Sequence, residues 1–82
     1  MAATAVQSDT IWLRTGDYHV APLNPKLTGR LPEVKQALEK GSPAYPDANR
    51  PNFYDIELTS GWAYVHVRDD KRTVYVVAYS RD

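Results

Sequence analysis

From residue 53 to residue 80 the side chains alternate in character with a period of two, and this stretch limits the fold more than any other feature of the chain. Such a period places successive side chains on opposite sides of a pleated strand. The alternation breaks at Ser60-Gly61 and at Asp69-Asp70-Lys71, so it predicts three strands, 53–59, 62–68 and 72–80, in an antiparallel meander. Taking Ser60-Gly61 and Asp70-Lys71 as two-residue loops sets the register. One face then receives Tyr54, Ile56, Leu58, Ala63, Val65, Val67, Val74, Val76 and Ala78. The other receives Phe53, Asp55, Glu57, Trp62, Tyr64, His66, Arg68, Tyr75, Val77 and Tyr79.

An aliphatic face needs a cover, and residues 31–40 supply a suitable helix. Pro32 fits a first turn, Glu33 and Lys40 complement the two ends of the helix dipole, and Gly41 suits the position just past the end. Leu31, Val34, Ala37 and Leu38 fall on one stripe. Before it, residues 10–15 and 18–21 alternate around Gly16-Asp17 and read as a hairpin, ended by Pro22, Asn24 and Pro25. Between helix and meander, residues 42–52 hold three prolines and no periodicity, which predicts a loop. The expected fold is a small two-layer α+β domain of ββαβββ order, with an antiparallel sheet and one helix on its aliphatic face.

At 82 residues there is room for a single core, expected over 10–82 after a disordered segment 1–9. A domain of this size buries only about 60% of the surface of its unfolded chain, and dimerisation is one way to add to that. The chain has no cysteine, so disulfide staples and thiolate metal sites are out, and a reducing, cytoplasmic setting is the expectation. No apolar run reaches membrane-spanning length, so no membrane partner is expected. Ten basic residues balance ten acidic ones. Neutrality argues against a nucleic-acid partner without removing it, because phosphate neutralisation dominates such affinities.

The second sheet face carries the functional expectation. Solvent faces are usually filled by Thr, Lys, Glu and Ser, whereas this one gathers Trp62, Tyr64, Tyr75 and Tyr79 with Asp55, Glu57, His66 and Arg68. Aromatic residues with a polar tip, and arginine, are enriched at interfaces. A small protein-binding or dimerising module, of inhibitor, immunity or accessory-subunit type, is therefore expected, with those eight residues as its contact set. An exposed edge strand could pair with a partner. Two alternatives would leave the face without this role. Trp12, Arg14 and His19 have the parity to extend it, or the N-terminal segment and the proline-rich loop could fold across it.

Catalysis has one candidate constellation. In this register Asp55, His66 and Tyr75 lie side by side, so a carboxylate could orient an imidazole near a phenol. No Ser or Cys on an elbow-like turn accompanies them, and no catalytic residue is assigned. The only histidines, His19 and His66, form no ligand pattern, and no phosphate-cradling glycine loop is present, so neither metal nor cofactor is expected.

Residues 53–82, Phe-Tyr-Asp-Ile-Glu-Leu through Trp62-Ala-Tyr-Val-His-Val-Arg-Asp-Asp-Lys-Arg-Thr-Val-Tyr-Val-Val-Ala-Tyr-Ser-Arg-Asp, resemble the terminal sheet of the RelE/ParE toxin superfamily. The resemblance implies a ribosome-dependent mRNA endonuclease, with Arg68, Arg72, Tyr79 and Arg81 standing where basic and aromatic residues of that sheet act on RNA. Members of the family are also similar in having a two-helix hairpin and a basic charge. This chain has one short helix and no net charge, which puts the nuclease reading second.

Overall fold

A computed structural model describes residues 15–80. Over the described residues it is an α+β domain of two layers, a five-stranded mixed sheet and one helix packed on it. The elements are β1 (His19–Pro22), α1 (Leu31–Lys40), β2 (Ala44–Pro46), β3 (Phe53–Leu58), β4 (Gly61–Arg68) and β5 (Thr73–Ser80), with 3-10 turns at Pro25–Arg30 and Asp69–Lys71. Strand order across the sheet is β1-β5-β4-β3-β2. Among the described residues, no helix is long and apolar enough to cross a membrane.

The helix ends where the sequence places its ends. Gly41 takes φ 73°, which suits glycine, and its N–H donates to the Leu38 carbonyl while the Ser42 N–H reaches back to Ala37. Those two bonds satisfy carbonyls that the last helical turn would otherwise leave open. Val34 and Ala37 are buried, and Leu31 and Leu38 flank them against Ile56, Val65, Val67, Val74 and Val76. The period-two reading of the aliphatic face thus holds for β3, β4 and the first half of β5.

Four expectations need correction. The segment 18–21 does yield a strand, β1, but it pairs in parallel with β5, His19 opposite Thr73 and Ala21 opposite Tyr75, so the sheet is mixed and not purely antiparallel. The partner strand proposed for it lies almost wholly outside the described residues. Thr15, the last of that segment, has helical backbone, and its carbonyl accepts from the Tyr18 N–H at 3.0 Å. Secondly, the loop 42–52 contains β2, paired with β3 through Tyr45 opposite Asp55. Among the described residues, strands β1 and β2 form the two sheet edges, and α1, about 15 Å long, carries the chain from one to the other.

Thirdly, the β3–β4 turn is Thr59-Ser60 and not Ser60-Gly61: Leu58 lies opposite Gly61, and Asp55 opposite Tyr64. Gly61 opens β4 with φ 145°, a conformation that favours glycine, so its freedom is used at the strand's first residue. The slip is two residues. Alternation cannot detect it, since a two-residue shift leaves every side chain on its face and only changes which ones are neighbours.

Lastly, β5 contains a bulge. Val65 pairs with Val76, but Tyr64 pairs with Ala78, which leaves Val77 without a β4 partner. One extra residue inverts the parity of everything after it. Ala78, expected in the core, is exposed; Tyr79, expected on the open face, turns to the helix side. There its hydroxyl donates to the Leu27 carbonyl at 2.9 Å and its ring lies under the Arg30 guanidinium at 4.8 Å.

Candidate functional site

The sheet face opposite α1 is built in rows. Glu57 sits across from Trp62, and Asp55 from Tyr64, with Tyr45 beyond Asp55. Phe53, His66 and Tyr75 form the next row, and Arg68 the last. Seven of the eight expected contact residues (Asp55, Glu57, Trp62, Tyr64, His66, Arg68 and Tyr75) therefore share this face, and Tyr79 does not. His19, opposite Thr73 at the β1 edge, extends it as its parity suggested, while Trp12 and Arg14 lie outside the described residues.

The β2–β3 half of the face is partly covered by its own loop. The Tyr45 and Trp62 rings meet at 5.9 Å, and the Phe53 ring stacks on His66 at 4.2 Å, nearly parallel. Arg50 lies over Phe53 at 3.9 Å, and the Tyr64 hydroxyl donates to the Asp47 carboxylate. Two sequence signals place this loop: Asp47 accepts the Asn49 N–H at 2.9 Å in an Asx turn, and Asn52, at φ 69°, presents its carbonyl to the Val67 N–H. The covering alternative is therefore realised in part, by the proline-rich loop.

The β4–β5 half is different. Here Leu23, Arg50, Phe53, His66, Arg68, Lys71, Tyr75 and Val77 surround a depression of about 300 Å³. Its floor is aromatic and aliphatic. Leu23, which is 59% exposed, forms one wall, and Arg50, Arg68 and Lys71 supply positive charge. The bulge helps to make it, because an unpaired Val77 faces the depression beside Tyr75. Arg68 is held by Asp70, with Nε–Oδ1 at 3.0 Å and Nη2–Oδ2 at 2.8 Å.

Electrostatics differ across the face. Burial, with Arg68 and Arg50 nearby, lowers the His66 pKa below the ordinary imidazole range, Asp70 opposing. The Tyr64 hydroxyl, the Asn49 N–H and Arg50 lower the Asp47 pKa; the same hydrogen bond raises that of Tyr64. Burial and the neighbouring Asp47 charge raise the Asp55 pKa. Arg50, Arg68 and Lys71 lie around His66, with Asp70 paired to Arg68, whereas Asp47 and Asp55 lie together beside Tyr64.

The two-residue slip dissolves the Asp55–His66–Tyr75 constellation. His66 and Tyr75 are neighbours, but Asp55 faces Tyr64 and the other neighbour of His66 is Phe53. Among the described residues no carboxylate is hydrogen-bonded to this imidazole, which sits between two aromatic neighbours, so the expected arrangement of an oriented base is not formed. Among the described residues, no group of three His, Cys, Asp or Glu is placed to hold a metal ion. Sequence reasoning missed Arg50 and Leu23, and Lys71, which groups with Arg68 and Arg72 in the sequence, reads there only as part of a solvated hairpin tip. Two signals were usable, the Arg68-Lys71-Arg72 group and the Arg50-to-Phe53 spacing, which lets a loop cation reach back over a strand aromatic. The chain matches no protein-family model, no curated protein and no solved structure.

Proposed function

We propose that this chain is a small protein-binding or dimerising module whose contact surface is the sheet face opposite α1. The observation that supports the reading is the depression: half-buried Phe53, His66 and Tyr75 border a concavity on a face whose other side already holds the core. Contact through the face is a better reading than contact through an edge. The two edge strands among the described residues are short and end in proline, Pro22 and Pro46, which hinders the addition of a further strand.

Light scattering of the purified protein over a range of concentrations, with affinity capture from extract, tests this. Wild-type protein should dimerise, or retain a partner that the Trp62→Ala and Tyr75→Ala proteins lose while keeping their circular dichroism. A monomer that captures nothing, or variants that capture as well as wild type, would overturn the reading.

The cations around aromatic rings also favour the second reading, a RelE/ParE-like nuclease, since bases stack on such rings and phosphates meet such charges. The residues named by the resemblance are divided, however: Arg68 is on the open face, Tyr79 on the helix side, and Arg81 outside the described residues. Expression alone should arrest growth if this reading is right, and Arg68→Ala should relieve the arrest. Normal growth would refute it.

A further inference from the structure

We propose that the depression at the β4–β5 end of the open face is the docking point for a short acidic peptide segment with an apolar anchor residue. This rests on the protein-binding reading above and names the partner's chemistry. About 300 Å³ is the low end of the range for ligand pockets, room for an anchor side chain and not for a whole element. Leu23, Phe53, Tyr75 and Val77 give that anchor an apolar setting. Arg50, Arg68 and Lys71 surround it; Asp70 pairs with Arg68, and Asp47, already bonded to Tyr64, lies within electrostatic reach of Arg50. Burial first, and then Arg68 and Arg50, oppose protonation of His66, while Asp70 favours it.

Two features make the cations available to a partner. Arg68 and Asp70 form a bidentate fork, but both side chains are substantially exposed, so solvent screens the pair and an incoming carboxylate can compete with Asp70 for the guanidinium. Arg50 is stacked on Phe53, which positions its charge at the depression in advance.

A polyphosphate is a worse fit than an acidic peptide. On the same face Asp55 and Glu57 lie two and four residues beyond Phe53, about 7 and 13 Å along β3, and Asp47 is bonded to Tyr64 beside them. A nucleic-acid strand continuing past the depression would meet these carboxylates. A short segment confined to the depression would not.

The test is fluorescence anisotropy with a fluorescein-labelled eight-residue peptide in which Leu-Phe is flanked by Asp and Glu. Controls are the same peptide with Asn and Gln in place of the acids, and a labelled eight-nucleotide oligouridine. The acidic peptide should bind saturably and at least about tenfold tighter than its amide counterpart. Lys71→Glu should weaken it about tenfold, as should raising salt from 50 to 500 mM. Leu23→Ser, at an exposed position, should weaken it several-fold without disturbing the fold. Equal binding of both peptides, indifference to Lys71→Glu, tighter binding of the oligouridine, or a dimer that buries the depression would each overturn the proposal. Failure here is separable from failure of the broader reading. Partner capture that needs Trp62 yet survives Lys71→Glu would sink the acidic segment alone, whereas capture indifferent to Trp62 and Tyr75 would sink both.

Discussion

Replacing Tyr79 by Phe removes one hydroxyl and leaves the ring under Arg30. The structure makes that hydroxyl a tie between β5 and the turn before α1, bonded to the Leu27 carbonyl at 2.9 Å across 52 residues of sequence. A single such bond contributes about 1 kcal/mol net, and the half-buried setting lets water compensate part of the loss at Leu27. In a domain this small, about 1 kcal/mol corresponds to a fall of about 4–8 °C in melting temperature. The difference should shrink in alkali. Burial raises the Tyr79 pKa, with Glu33 adding and Arg30 opposing, so the wild-type contribution is complete below about pH 10 and declines as pH rises through the higher folded-state value. Thermal melts of both proteins at neutral and alkaline pH measure these effects, and anisotropy with the acidic peptide provides the functional control. A Tyr79→Phe protein with unchanged melting temperature but altered binding would refute the bulge at Val77 and return Tyr79 to the open face.

Ile56 is fully buried, and Ile56→Ala should cost about 2–5 kcal/mol. With about 4–12 kcal/mol to be expected for the whole domain, urea unfolding should show a marginally folded protein; a loss below about 1 kcal/mol would mean that the helix does not pack there. Gly41→Ala forces a side chain onto a φ of 73°, so it should cost roughly 1 kcal/mol in the same assay, and a neutral result would contradict the left-handed cap. His66 should titrate by NMR below the ordinary imidazole pKa, and Arg68→Gln should move it back upward. Because the folded-state value is depressed, its contribution to stability is present above about pH 6.5 and is lost as pH falls through that lower value. A His66 pKa that stays put in Arg68→Gln would show that the Arg68 charge does not act on the imidazole.

The sequence by itself determined the α+β class, the extent and capping of α1, and the division of β3 and β4 into an aliphatic and an aromatic-charged face. These are local properties. Helix ends depend on residues such as Pro32 and Gly41 within one turn, and face assignment depends only on whether a residue's number is odd or even. Tertiary structure decided the rest. Parity is blind to a slip of two, so Asp55 could be placed beside His66 on paper while the chain seats it beside Tyr64. It fails altogether past an inserted residue, so Val77 redirects Tyr79 and Ala78 to opposite sides without any change in local pattern. The parallel pairing of β1 with β5 joins segments some fifty residues apart, His19 with Thr73, and no window of neighbouring residues contains that contact. The depression follows from such long-range choices: Leu23 arrives from the β1 side, Arg50 from the loop before β3, and Lys71 from the β4–β5 turn, and only packing brings the three to one place.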